Sequence, residues 1–509
     1  MTTFVAIEIG SYEISMKVFE LSKKNGMKEI DYIRHRIELG KEVYAVGAIG
    51  HEQIDELCDV LYEFTQIMKG YQIDAYQAHA TSAIREASNM LIVLNRIKLR
   101  TNLDVHVLSN SEQRFLRYKA IASKENEFNK MIKNGTAIVD IGGGSLQISL
   151  FDNDSLFTTQ NLRLGTLRIR EALVDIESET IDLSYQIEEL INYELFAFKK
   201  MYLKDCEIKN IIAGGDVVTE IIRKITRGEE QDFITRKQLM EYWERLNYHS
   251  KKDLVEKLEI SSESASLILP AAIIFRRIIE EMNAEVIWIP GGALTDGSAY
   301  DYAQQNKIIQ TQHNFENDIL AAAKQIAKRY MSTKSYINEI EKLALTLFDG
   351  MKKIHGLGKR DRLLLQIAAL LNECGKYISL SYSAECSYNI IISTEIIGLS
   401  HLEREMIANI VKYNTLPLPP QKELANKLDS VSYLRVAKLT AILRVSKALD
   451  KSHKEKFKNC KVVLKDKTLQ IVVDTMEDIK LERTWLKKKA EFFEEVFSLQ
   501  PIIKRKKKM

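Results

Sequence analysis

Cysteine is scarce and poorly spaced for chemistry: Cys58, Cys206, Cys374, Cys386 and Cys460 are scattered without any C-x-x-C pair. That pattern fits reduced thiols in a cytoplasmic protein better than a disulfide framework. No apolar run approaches the roughly 20 residues a membrane helix needs. The chain opens directly into Phe4-Val5-Ala6-Ile7, with neither a basic leader nor a cleavage signal. An excess of one charge is missing too: 73 Lys and Arg face 70 Asp and Glu, a net +3. This balance calls for neither nucleic acid nor a membrane as partner, so any anion site has to come from local arrangement.

What is present is length and pattern. The 509 residues exceed what one core usually serves, which points to three domains. The first, 1–125, alternates strands and helices: Phe4 to Ile9, Ile14 to Glu20, a helix from Ile49 to Lys69, strands at Ala75 to Ala80 and Val105 to Leu108, and a helix from about Ser88. The second, 126–305, restarts with the same grammar. Thr136 to Ile141 is an apolar strand ending in an acid and a glycine turn, followed by a strand from Leu146 to Phe151. It echoes Phe4-Val5-Ala6-Ile7-Glu8-Ile9-Gly10-Ser11 and suggests duplicated halves facing each other. Ile211 to Gly215 and Val286 to Gly292 repeat the strand-to-glycine pattern. After a linker near Gln304 to Phe315, the third domain, 315–509, turns to amphipathic helices at Asp318–Tyr330, Ile337–Met351, Arg360–Leu371 and Glu403–Tyr413. A hairpin around Asp466-Lys467 and a charged helix close it.

A glycine turn after a strand lets backbone N–H groups approach an anion, because no side chain blocks them. Two such turns from opposed halves can clamp a phosphate chain. Asp140, at its strand tip, is placed to hold Mg²⁺, and Glu8 mirrors it.

The duplicated pattern resembles the actin, Hsp70 and sugar-kinase fold. The particular words are similar to those of the exopolyphosphatase / guanosine pentaphosphate phosphohydrolase family. They are Ile9-Gly10-Ser11, Ala80 to Ala87, Asp140-Ile141-Gly142-Gly143-Gly144-Ser145, Arg163 to Thr166 and Gly291 to Gly297, with His355 to Gly358, Ala368 to Leu371 and Ile442 to Asp450 in the helical half. The resemblance implies a homodimer acting on inorganic polyphosphate or guanosine pentaphosphate with Mg²⁺. It implies that Arg85 faces the phosphate chain, and that the turns at Gly10-Ser11, Asn110-Ser111 and Gly142 to Ser145 hold phosphates.

Two positions depart from the family. Its catalytic glutamates fall on Gln113, within Ser109-Asn110-Ser111-Glu112-Gln113-Arg114-Phe115, and on Gln147, after Ser145-Leu146. Glutamine matches glutamate in shape but takes no proton, and loss of a positioned base removes about 10²–10⁴ of rate. Glu112 is the neighbouring carboxylate available as a substitute, although adjacent helical residues point about 100° apart. In the helical half the family resembles a metal-dependent His-Asp phosphohydrolase fold. Here its ligand positions fall on Glu339, Asn372-Glu373 and Lys447, and a lysine there opposes a divalent metal. The basic segments Lys451 to Lys458 and Lys504 to Lys508 are candidate polyanion paths or simply solvated. His79 reads as a core or strand-edge histidine. Three functions stay open: a phosphoanhydride hydrolase, a catalytically impaired polyphosphate or alarmone sensor, and a nucleotide-dependent kinase or ATPase on the same fold.

Overall fold

The computed structural model describes all residues except 174–182, 205, 226–231, 247–250, 259, 261, 311–312, 458 and 507–509. The chain divides into two compact units, Met1–Asp318 and Ile319–Met509.

The first unit contains two sheets. In one, β1 (Thr2–Ile9), β2 (Glu13–Ser22), β3 (Gly26–Arg36), β4 (Ala75–Ala80) and β5 (Val105–Val107) lie in the order β3-β2-β1-β4-β5. The other is built from β6 (Thr136–Ile141), β7 (Leu146–Asp152), β8 (Ser155–Leu162), β9 (Asn210–Gly214), β10 (Phe233–Thr235) and β11 (Val286–Trp288), ordered β10-β11-β9-β6-β7-β8. The duplication expected from the strand words is present at the level of pairing. β1 pairs antiparallel with β2 and parallel with β4, and β6 pairs antiparallel with β7 and parallel with β9. The turn repeats as well: the Gly10 N–H donates to Glu13 O at 2.9 Å, and the Gly142 N–H to Ser145 O at the same 2.9 Å. This is the actin-like tandem architecture.

Each half has its own core. Val5, Ile7 and Ile9 of β1 pack with Leu57, Leu61 and Phe64 from the helix His51–Gly70. Val139 and Ile141 of β6 pack with Ile273, Ile274 and Phe275 of the helix Ser262–Met282. β6 is buried at all six positions, which is why it reads as a continuous apolar run rather than an alternation. β3 was not foreseen. It alternates half-buried and exposed positions on a sheet edge, so its apolar signal is weak.

The second unit is the helical domain, with helices Lys334–Gly350, Lys359–Leu371, Ser383–Ser393, His401–Tyr413, Ser430–Leu449 and Lys480–Phe497. The expected hairpin forms from β12 (Cys460–Lys465) and β13 (Thr468–Val473). A third strand, β14 (Gln500–Arg505), adds in parallel to β13. Lys504 and Arg505 therefore belong to a strand rather than a tail, while Lys507 and Lys508 lie outside the described residues. The Lys451–Lys458 segment is largely committed to packing: Lys451 lies over the Trp485 ring at 4.3 Å, and Lys456 pairs with buried Glu482 at 3.1 Å. Lys458 is outside the described residues. All five cysteines are free thiols. Among the described residues no helix is long and apolar enough to cross a membrane.

Candidate functional site

The two halves of the first unit leave a cavity of about 890 Å³ between their strand ends. Its floor is the two glycine turns. Gly10 and Ser11 come from one half and Gly142, Gly143, Gly144 and Ser145 from the other. Two glycines are fixed by close approach. A Cβ on Gly165 would meet Gly143 O at 2.3 Å, and one on Gly144 would meet the Tyr44 hydroxyl at 2.2 Å. Hydroxyls of the first half back the Gly10-Ser11 turn: Ser11 Oγ lies 2.9 Å from Tyr44 Oη and 2.8 Å from Ser82 Oγ. Arg168 adds a cross-half tie, donating to Gly144 O at 2.9 Å and to Glu86 at 2.7 Å while covering the Tyr44 ring. The Ala80–Ala87 word thus supplies Ser82 to the cavity and Glu86 to its bracing.

Glu8 and Asp140 stand at matching strand positions. In register, Glu8 faces Ser15 and Asp140 faces Gln147 across their antiparallel pairs. Gln147 is 3% exposed, and its Oε1 has no hydrogen-bond partner among the described residues. Gln113 lines the same cavity from the helix Asn110–Ala122. Four residues on, and so on the same helix face, Arg117 also enters it. Its guanidinium lies between the two strand-tip acids, 3.6 Å from Glu8 Oε1 and 3.8 Å from Asp140 Oδ2.

Four expected site residues lie outside the cavity lining: Arg85, Asn110, Ser111 and Glu112. Arg85 turns toward the β5–helix junction, donating to Leu108 O at 2.6 Å, Asn110 Oδ1 at 2.5 Å and Gln113 Oε1 at 3.4 Å. It positions Gln113 rather than facing the cavity. Glu112 caps its own helix. Its carboxylate accepts from the Ser109 N–H at 2.9 Å while Ser109 Oγ accepts from the Glu112 N–H. Burial would raise the Glu112 carboxyl, but hydrogen bonds from His106 and Ser109 hold it below its usual value. It is therefore a structural carboxylate, turned about 100° from Gln113.

The opposite wall was not foreseen. β2 and β3 supply Lys17, Tyr32 and Arg34. Lys17 donates to Glu29 at 2.8 Å and to Asp296 at 2.9 Å, and lies over the Tyr32 ring at 4.6 Å. Burial would depress the Lys17 ammonium, yet Asp296 and Glu29 together carry it above its ordinary value. Arg34 also lies over the Tyr32 ring, at 5.2 Å. An Asn25-Gly26 pair before β3 was the available signal, being a strong hairpin turn. Arg117 was also findable, as the i+4 neighbour of Gln113.

A divalent ion was the expected partner of Glu8 and Asp140. Mg²⁺ wants near-octahedral oxygens at about 2.0–2.1 Å. Mg²⁺ is usually held by one or two carboxylates with water and phosphate, but here the two carboxylates share one guanidinium, 3.6 Å from Glu8 and 3.8 Å from Asp140. As arranged, this donor set does not fit the ion.

Comparison with known proteins places this geometry. Residues 18–306 match the Ppx/GppA phosphatase family model, and residues 320–492 match its domain III. The chain is 19% identical over 450 residues to a guanosine-5'-triphosphate,3'-diphosphate pyrophosphatase of Photobacterium profundum, with 86% of each chain covered. A protein of the same description from Vibrio atlanticus is 21% identical over 447 residues, again covering 86% of each. Among solved structures, an exopolyphosphatase from Cytophaga hutchinsonii superposes with a TM-score of 0.52 at 17% identity, covering 60% of this chain and 98% of that one. The Aquifex aeolicus Ppx/GppA family member superposes with a TM-score of 0.50 at 19% identity, covering 62% and 99%. Sequence words, duplicated pairing and both family models agree, and the chain belongs to the Ppx/GppA phosphatase family.

Proposed function

We propose that the cavity holds a phosphoanhydride chain, that of inorganic polyphosphate or the 5′-triphosphate of guanosine pentaphosphate, and that turnover is far slower than binding. Phosphate oxygens would rest against the paired turns, with the Lys17, Tyr32 and Arg34 wall flanking the rest of the ligand. One observation carries the reading: Gln113 and Gln147 both line the cavity, at the two positions where the family resemblance leads one to look for catalytic glutamates. In hydrolysis, water attacks the terminal phosphorus and must lose a proton as the bridging P–O bond breaks. A glutamine amide offers an acceptor oxygen and two N–H donors but no basic site at neutral pH. It can hold a water or a phosphate oxygen without activating either. The two amides also remove two negative charges from a lining that still carries Glu8, Glu13, Asp140, Glu220 and Asp296 against Lys17, Arg34 and Arg117. That change favours retention of a polyanion.

A working hydrolase is the second reading. Family membership supports it, as does Glu13, a carboxylate on the same wall. The deciding experiment measures phosphate release from polyphosphate and from guanosine pentaphosphate, beside equilibrium binding of both. Native chain is compared with the Gln113→Glu/Gln147→Glu double variant. The expected result is binding by both proteins and release about 10²–10⁴-fold faster from the double variant. Equal, robust release from both would overturn the slow-turnover reading, and its loss in Glu13→Gln would name the base.

A further inference from the structure

We infer that Arg117 takes the place of a divalent cation in this cleft, so that the chain binds phosphate without metal. Its guanidinium is the positive charge shared by the two opposed strand-tip acids. It lies 3.6 Å from Glu8 and 3.8 Å from Asp140, with Nη1 3.5 Å from Gly292 O. Three separate segments, the tips of β1 and β6 and the Gly291-Gly292 turn, thus converge on one side chain. Arg117, Glu8 and Asp140 have side chains only 12%, 13% and 10% exposed. Water screens such a cluster weakly, so its internal charges govern what enters.

Chemistry distinguishes the guanidinium from an ion. A divalent cation entering between Glu8 and Asp140 would meet a fixed positive charge within about 4 Å of both of its carboxylate ligands. It would have to expel Arg117, and arginine stays charged at any pH the protein experiences. The guanidinium presents up to five N–H donors in a planar fork, which suits phosphate oxygens as well as carboxylates. An arriving phosphate chain can therefore be met by Arg117 directly. Part of this inference, the role toward phosphate, rests on the function proposed above, whereas the exclusion of a cation does not.

Two measurements on the full chain test it separately. Mn²⁺ is titrated into native protein without ligand and followed by electron paramagnetic resonance. The native chain is expected to leave Mn²⁺ free, and Arg117→Met to bind it about a hundredfold more tightly. Stoichiometric Mn²⁺ binding by the native chain, abolished in Asp140→Asn, would overturn the inference. Because that result needs only native protein, a poorly folded Arg117→Met leaves the question answerable. The second measurement is polyphosphate binding in EDTA and in Mg²⁺. Native and Arg117→Lys proteins should bind equally in both, whereas Arg117→Met should weaken about tenfold to a hundredfold in EDTA and recover with Mg²⁺. Native binding that collapses in EDTA contradicts the inference. Native chain that ignores both Mn²⁺ and polyphosphate would sink the proposed ligand while leaving the cation exclusion standing.

Discussion

In the cleft of the first unit, Arg117 sits between Glu8 and Asp140. In the helical unit, Lys447 stands where the family resemblance puts a metal-binding aspartate, bonded to Asn414 Oδ1 at 2.9 Å. Both positions set a cation where metal chemistry is expected, but the two cations behave differently. Arg117 keeps its charge, since guanidinium is not deprotonated in proteins. Burial depresses the Lys447 ammonium to about 8; Glu373 pulls it back up, and Lys376, Lys451 and Lys489 push it further down. Around Lys447, Asn372, Glu373 and Asn414 are nearly inaccessible, whereas Arg117 borders a cavity of about 890 Å³. The comparison separates a cation that borders a cavity from one half-buried among nearly inaccessible side chains.

The largest expected effect comes from treating both units alike at a glycine. A Cβ at Gly165 would lie 2.3 Å from Gly143 O, and one at Gly375 would lie 2.1 Å from Ser383 O. Each Gly→Ala change forces backbone apart and should destabilise its own unit by about 1–3 kcal/mol or more. Only Gly165→Ala displaces the turn beneath the cavity. It should cost polyphosphate binding at least about a hundredfold, as a displacement near 1 Å does elsewhere, whereas Gly375→Ala should leave binding intact. Calorimetry for each variant, paired with ligand titration, checks this. Equal loss of binding in both would erase the distinction between the units.

How much of this contrast the sequence disclosed depends on how local each signal is. β1, β4, the glycine turns and the helices Lys334–Gly350, Lys359–Leu371 and His401–Tyr413 were legible because their apolar period and turn residues lie within one short window. The halves' equivalence was legible because the strand-acid-glycine word recurs. β14 was not, since its strand partner, β13, is about 30 residues away and the segment by itself looks like a basic tail. Arg85 was expected to face the ligand, but its three acceptors, Leu108 O, Asn110 and Gln113, come together only through the tertiary fold. Arg117 was hidden by its type: on a helix, arginine normally marks a solvated face, and only the i+4 relation to Gln113 betrayed it.

A smaller effect sharpens the difference between the two cations. Lys447 titrates near 8 in the folded chain and near the usual lysine value of about 10.4 once unfolded. Between those limits the unfolded state binds the extra proton, so stability rises with pH across that window. The helical unit's Tm should gain on the order of 5 °C from this group between pH 8 and pH 10, read as native minus Lys447→Met so that other titrating groups cancel. The same subtraction with Arg117→Met should show no slope there. A flat Lys447 difference would mean that its ammonium is better solvated than its surroundings suggest.

The smallest effect concerns two helix caps of identical design. Ser109 with Glu112 opens the helix Asn110–Ala122 beside the cavity, and Ser400 with Glu403 opens the helix His401–Tyr413 in the second unit. Glu403 also receives a two-pronged contact from Arg360, at 2.6 and 2.7 Å, whereas His106 meets Glu112 at a looser 3.4 Å. Glu112→Ala should therefore cost about 0.5–2 kcal/mol, a cap's worth, and Glu403→Ala more. The hydrogen bond that His106 donates to Glu112 raises the imidazole above its ordinary value against the pull of burial. A raised histidine stabilises the fold below its unfolded pKa and loses that contribution as pH climbs through the folded one. The cost of Glu112→Ala should thus shrink from pH 6 to pH 8, while that of Glu403→Ala should hold steady, as urea melts at the two pH values would show. Polyphosphate affinity should stay within about twofold after Glu112→Ala, because the carboxylate it removes points about 100° away from Gln113. A hundredfold loss instead would return Glu112 to the cavity, and with it the prospect of a working base.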